Sequence, residues 1–104
     1  MNLPDIISKL VKAQSEFDSQ AYADCFTENA VVFDEGKTHN GKKEIENWID
    51  KANNEFKTVM KPLEYNENEN ILSAEISGTF PGSPVFLKYH FELTDGYIQS
   101  LRII

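Results

Sequence analysis

Two periods divide this chain. As far as Lys57 the apolar residues recur at helical spacing, and from Thr58 onward they alternate. Ile6, Ile7, Leu10, Val11, Gln14 and Phe17 fall on one face of a first helix, roughly Pro4 to Glu16, with Pro4 suited to its first turn. Asp18 reads as the N-cap of a short second helix that ends near Thr27 and carries Tyr22 and Phe26 on one side. The β-branched and aromatic run Ala30 to Phe33 predicts a strand that closes on an acid, Asp34. Residues 34 to 40 read as a polar bend in which Gly36 and Gly41 supply conformational freedom. A third helix, about Lys42 to Lys57, has an apolar stripe of Ile45, Trp48, Ile49, Ala52 and Phe56.

The second half predicts a meander. Its strands are Thr58 to Tyr65, Ile71 to Phe80, Val85 to Thr94 and Tyr97 to Ile104, separated by Asn66 to Asn70, Pro81 to Pro84 and the hairpin signal Asp95-Gly96. Pro62 marks the first of these as an edge strand or a bulged one. Leu72, Ala74 and Ile76 alternate with Ser73, Glu75 and Ser77, and Leu87, Tyr89 and Phe91 alternate with Phe86, Lys88, His90 and Glu92. One face of this sheet is therefore apolar and must be covered, and the three early helices are the available cover. A sheet that curls around them leaves a cavity between helices and strands.

At 104 residues the chain forms one domain with one core, spanning 1–104. Seven Phe, four Tyr and one Trp are many rings for this length, enough to close a small core or to line a pocket. A net charge of -7, with 10 basic against 17 acidic residues, argues against nucleic acid or an anionic membrane as a partner. One cysteine, Cys25, permits no internal disulfide and no cysteine-based zinc site, and His39 and His90 lack ligand spacing. Met1-Asn-Leu-Pro-Asp does not resemble a signal peptide, and no apolar stretch is long enough to span a bilayer, so a cytoplasmic protein is expected.

The residues that bear chemistry each have two readings. Asp34 is a base if it ends its strand in an apolar pocket, where burial raises a carboxyl pKa, or else a cap of the bend that follows. Tyr89 shares the inward face with Leu87 and Phe91, so its hydroxyl either donates to a developing oxyanion or serves as an ordinary buried hydrogen-bonding group. His39 lies at the cavity mouth or on a surface loop. Trp48, Phe56, Phe80, Phe91 and Leu101 line a cavity or fill it. His90 faces outward, and Cys25 reads as core.

Three motifs carry a family resemblance: Phe26-x-x-Asn29-Ala30-Val-Val-Phe-Asp34, the Gly41 start of a helix containing Ile45 and Trp48, and the hairpin from Tyr89-His90-Phe91 through Asp95-Gly96 to Ser100-Leu-Arg102. With these the chain resembles the nuclear transport factor 2-like superfamily, in particular its polyketide cyclase and ketosteroid isomerase-like (SnoaL-like) branch. The resemblance covers nearly the whole chain. It implies a cone-shaped α+β barrel, with three N-terminal helices packed on a curved, mostly antiparallel sheet. It also implies a general base at Asp34 and an oxyanion donor at Tyr89, where a phenol stands in place of the branch's carboxylic acid. The branch's helix-borne tyrosine donor falls at Leu10. The Asp-Arg-Asp arrangement of epoxide hydrolases is not visible around Arg102, the one arginine.

Two functions follow as expectations. One is a site for a small hydrophobic molecule with a polar end, with proton abstraction next to a carbonyl and no cofactor implied. The other is a non-catalytic association or ligand-binding module. A homodimer through the outer sheet face, around Phe86, Lys88, His90 and Glu92, is expected from the resemblance.

Overall fold

The computed structural model describes residues 2–104, so Met1, the first residue of the expected domain, lies outside the described residues. The elements are α1 (Asp5–Ser15), α2 (Ser19–Ala23), β1 (Phe26–Asp34), β2 (Lys37–Asn40), α3 (Gly41–Phe56), β3 (Val59–Asn66), β4 (Ile71–Ser77), β5 (Val85–Thr94) and β6 (Tyr97–Ile103). All six strands belong to one sheet in the order β2-β1-β6-β5-β4-β3. β1 and β6 run parallel, and every other neighbouring pair is antiparallel. The sheet does not close: β2 and β3 are its edges. Three helices on a mixed, open sheet make an α+β fold, and among the described residues no helix is long and apolar enough to cross a membrane.

Each helix ends for a local reason. Phe17 turns left-handed at φ 53°, and the N–H groups of Phe17 and Asp18 donate back to the carbonyls of Gln14 (3.1 Å) and Ala13 (2.9 Å), a Schellman-type stop. This detaches Phe17 from the stripe of α1 and leaves it 44% exposed, where the spacing had put it on the buried face. Asp18 then caps α2 by accepting from the N–H of Ala21 at 3.0 Å. α3 opens after Asn40, whose N–H donates to Glu44 at 2.9 Å, and Gly41 takes φ 85°, a backbone that an L side chain rarely adopts.

At its far end, the Phe56 carbonyl of α3 accepts from the N–H of Thr79 at 2.8 Å. The backbone of Gly78 lies so close that a β-carbon there would collide with this carbonyl. Residues 78 and 79 thus leave the sheet to cap a helix. This ends β4 at Ser77, short of the expected Phe80.

Two further elements differ from expectation. α2 stops at Ala23 and β1 already begins at Phe26, through polar Thr27, Glu28 and Asn29. Pairing with β6 begins at Phe26, which registers with Ile98 while the Cys25 carbonyl accepts the N–H of Ile98 at 2.9 Å, and the register then shifts before it resumes at Val31. The supposed bend from 34 to 40 is a hairpin: β2 pairs back on β1 through Glu35 and Gly36, both at positive φ (51° and 74°), as in a type I′ turn. The edge and bulge readings of Pro62 both hold, since β3 is an edge strand whose register shifts between Pro62 and Glu64.

The core lies between the helices and one sheet face. Ile7, Leu10, Tyr22, Phe26, Ile45, Leu72, Ile98 and Leu101 are its largest fully enclosed side chains. α3 packs on β1, β2 and α2, whereas α1 packs on α2 and β3.

Candidate functional site

The register of three central strands positions the site. Val32 of β1 pairs with Leu101 of β6, which pairs with Phe91 of β5. All three are buried, and they form a closed row. Two residues further along, Tyr89 pairs with Ile103. Continuing the parallel register of β1 and β6 brings Asp34 beside Ile103 on the other flank. Side chains two apart share a face, so Asp34, Ile103 and Tyr89 form the next row on the same side of the sheet. With strands about 4.8 Å apart, the backbones of Asp34 and Tyr89 lie about 10 Å from one another across β6.

This second row opens into a cavity of about 590 Å³. Asp34, Tyr89, Trp48, Phe56, Phe80 and His39 all line it. Phe91 and Leu101, the other two expected wall residues, do not: they belong to the closed row, 4% and 0% exposed. Their strands do face the cavity side, but both belong to the buried core cluster together with Tyr22 and Phe26. His39 is half-buried on β2, not on a free loop, and its ring stacks on Trp48 at 5.4 Å.

The structure brings in residues that the sequence did not single out for chemistry. Tyr22 lines the cavity from α2, 2% exposed. Its ring sits between Phe26 of the core (5.9 Å) and Trp48 of the cavity wall (6.1 Å, edge-on). Leu10, at the place where the family carries a tyrosine, is fully buried and is not a lining residue. A phenol thus reaches the cavity from a different helix. The signal in the sequence was the Asp18 cap followed by Tyr22, but spacing alone does not say that α2 crosses over the cavity. Gln14 of α1, read as part of the apolar stripe, also lines the cavity at 4% exposure.

The electrostatics follow from burial. The carboxyl of half-buried Asp34 is raised above its ordinary value of 3.8, chiefly by desolvation and then by the neighbouring charge of Glu35. The Trp48 indole N–H facing it, a charge on His39 and the Glu35 backbone N–H pull the other way. Tyr89 and Tyr22 are both held well above 10.0 by burial, and the negative charge of Asp34 adds to the effect on each. Both phenols therefore stay protonated at neutral pH, as donors within the field of one carboxylate.

The Cys25 thiol is pushed up to about 11, first by burial, and approaches the Ala21 carbonyl at 3.5 Å, so it is a core residue. Among the described residues, no three His, Cys, Asp or Glu side chains gather as a metal-binding group.

No family model and no curated protein matches the chain. Solved structures do. A Sinorhizobium meliloti protein proposed as a polyketide cyclase is 39% identical, with a TM-score of 0.91 over 98% of this chain and 95% of that one. A Catenulispora acidiphila protein with a ketosteroid isomerase-like fold, solved with trimethylamine, is 16% identical, with a TM-score of 0.85 over 99% and 86%. A Xanthomonas campestris protein proposed as a polyketide cyclase is 15% identical, with a TM-score of 0.77 over 94% and 85%. The last two bear on fold alone. The 39% identity over almost the full length of both chains goes further, and the chain belongs to the polyketide cyclase and ketosteroid isomerase-like (SnoaL-like) branch of the nuclear transport factor 2-like superfamily.

Proposed function

We propose that this protein binds a small hydrophobic carbonyl compound in the cavity and abstracts a proton next to the carbonyl, as in an isomerisation or cyclisation. The observation that carries the reading is the meeting of one desolvated carboxylate, Asp34, with two protonated phenols, Tyr22 and Tyr89, in a cavity walled by Trp48, Phe56, Phe80 and Leu87 together with charged Glu35, Lys37, Lys51 and Glu55. The sheet and its helices are read as a cone whose open end holds these groups. The similarity to the Sinorhizobium meliloti protein proposed as a polyketide cyclase supports the same class of chemistry.

Asp34 takes the α-proton of the bound ketone. The C–H electron pair moves into the carbonyl, forming an enolate whose oxygen accepts hydrogen bonds from the phenols. The proton then returns from Asp34 to another carbon, or the enolate carbon adds to a second carbonyl and the proton ends on the new alkoxide. The Trp48 indole N–H faces the carboxylate, and burial lifts its basicity. No cofactor enters these steps.

The test is exchange of the α-hydrogens of 2-tetralone for deuterium in heavy water, followed by NMR. The protein is expected to accelerate exchange and the Asp34→Asn variant to lose the acceleration. Exchange at the buffer rate with the wild-type protein would sink the proposal.

A second reading, a dimeric module, rests on Phe86, which is 68% exposed on the outward face of β5 beside Lys88 and Glu92. A homodimer through this face leaves the cavity on the opposite side, so the two readings are compatible. Light scattering that finds only monomer at micromolar concentration overturns it. Neither reading calls for nucleic acid or a membrane, and a buried, unpaired Cys25 suits a cytoplasmic setting.

A further inference from the structure

His39 is the one imidazole in the cavity wall, and proton abstraction by Asp34 leaves it without a task. Its place follows from the β1–β2 hairpin. Val32 pairs with His39 and Asp34 pairs with Lys37, so His39 and Asp34 are diagonal neighbours on the two strands. Val32 points into the core and Asp34 lies two residues from it, so Val32, Asp34 and His39 share one face of the sheet. Diagonal neighbours have backbones about 7–8 Å apart and β-carbons somewhat closer.

Trp48 lies against both residues. Its ring stacks on His39 with centroids 5.4 Å apart, and its indole N–H faces Asp34. A charge on His39 is felt at the Asp34 carboxyl, yet the two side chains do not pair. The ion pairs among the described residues join Lys42 to Asp24 and Glu28, and Lys51 to Glu55. Neither ring nitrogen of His39 hydrogen-bonds to a described residue. The charged lining residues Glu35, Lys37, Lys51 and Glu55 are exposed, whereas Asp34 and His39 are both half-buried. The cavity thus holds a carboxylate and an imidazole that are close, unpaired and open to a ligand. A proton-transfer group must come within about 3 Å of its atom. Two groups set apart on either side of an indole are suited to two different atoms of one bound molecule.

We propose that His39 is the acid that completes a ring closure begun by Asp34, protonating a second carbonyl oxygen of the ligand. This rests on the proton-abstraction reading of Asp34, and it narrows the substrate class from ketones to dicarbonyl compounds able to close a ring. Asp34 takes the α-proton, and the enolate oxygen is held by the phenols. The enolate carbon then forms a bond to the second carbonyl carbon. The electron pair of that carbonyl moves onto its oxygen, which takes a proton from the His39 imidazolium. A proton passes from Asp34 to His39 through solvent at the cavity mouth, and both groups are restored. Histidine suits the step because it gains and loses a proton near neutral pH. A ligand with a single carbonyl gives His39 no oxygen to protonate and stops at exchange or isomerisation.

The experiment follows 2-methyl-2-(3-oxobutyl)cyclohexane-1,3-dione in heavy water by NMR. Deuterium entry at its terminal methyl group needs the base alone, whereas closure to the bicyclic ketol needs base and acid. The wild-type protein is expected to accelerate both, with one enantiomer of the ketol in excess. His39→Gln should shift the partition toward exchange by about tenfold or more, within the range of a lost general acid. An unchanged partition in this variant overturns the proposal, as does methyl exchange by the wild-type protein without ring closure.

A second measurement uses the full wild-type chain labelled with nitrogen-15 at histidine, which has two imidazoles, His39 and His90. The triketone is expected to move the His39 signals and leave those of His90, on the outer face of β5, in place. If His39→Gln does not fold, this comparison decides, and unmoved His39 signals overturn the proposal. Its failure is separable from failure of the proton-abstraction reading. Deuterium exchange into 2-tetralone with unmoved His39 signals refutes only the role of His39. Moved His39 signals without exchange into either compound refute the proton abstraction and leave His39 as a contact of the second carbonyl.

Discussion

Two rows of side chains, one step apart on the same three strands, differ in almost everything that matters. Val32, Leu101 and Phe91 lie under the helices and pack solidly. Asp34, Ile103 and Tyr89 lie two residues further along, face the same way and line a cavity of about 590 Å³. Strand alternation treats the rows as equivalent, because it specifies a face and nothing about what stands opposite. The helices make the difference. Tyr22, at the boundary, takes part in both environments, with its ring against Phe26 and its flank on the cavity. Under the proposed function, the closed row is a stability element and the open row a chemical one.

That division can be broken by mutation. The largest expected effect is on chemistry at the open row: Asp34→Asn should lower the rate of α-proton exchange by about 10²–10⁴-fold while the fold remains intact by circular dichroism. A variant that keeps the wild-type rate removes Asp34 from the reaction. Next comes Phe91→Ala in the closed row, which should cost about 3–5 kcal/mol in urea unfolding through lost burial and a residual cavity. A loss under about 1 kcal/mol would mean that the closed row is not packed as described.

Tyr89→Phe, in the open row, should leave unfolding almost unchanged yet slow exchange by about tenfold to a hundredfold, with Tyr22→Phe similar and the double variant less than the product of the two. Strict multiplicativity would show that the phenols do not share one oxyanion. Smaller still, Ile103→Ala should destabilise by about 1 kcal/mol, less than Leu101→Ala at about 2–5 kcal/mol, since Ile103 already borders open space.

The mildest effect is on pH. The carboxyl of Asp34 is raised above 3.8 in the folded protein, so the folded state holds its proton more tightly than the unfolded chain. Its contribution to stability is therefore greatest below the unfolded value and declines as pH rises through the folded one. Compared with Asp34→Asn, the wild-type Tm should fall across that window, and a difference that instead grows with pH in favour of the wild type reverses the sign. Exchange activity should rise over the same window, as the base ionises. It should hold to pH 10 or beyond, because both phenols titrate above 10.0.

Much of this molecule was legible before any coordinates. The change of period at Lys57 separated helices from meander, and the inward set Leu72, Ala74, Ile76, Leu87, Tyr89 and Phe91 is the set that faces the helices. Asp18 caps its helix as its side chain predicts. The elements that spacing misjudged are those formed by pairing and not by propensity. β1 begins as early as Phe26 because β6 pairs with it there, across a register shift before Val31, and β2 exists because a two-residue turn folds it back on β1. Gly78 looked like one more strand residue, yet it serves as the place where a helix end meets the sheet.

What the sequence determined by itself is local. It specified periodicity, capping, the inward face of each strand and a strand ending in an acid, because these depend on neighbours a few residues away. What the tertiary structure decided is which of those inward residues face solid packing and which face space. Phe91 and Leu101 became core, Phe56 and Phe80 became wall, and Tyr22 and Gln14 came to line the cavity while Leu10 did not. Each of these outcomes depends on how far a helix extends across the sheet and at what angle it crosses. Those quantities are set by contacts between residues far apart in the chain, and no local spacing encodes them.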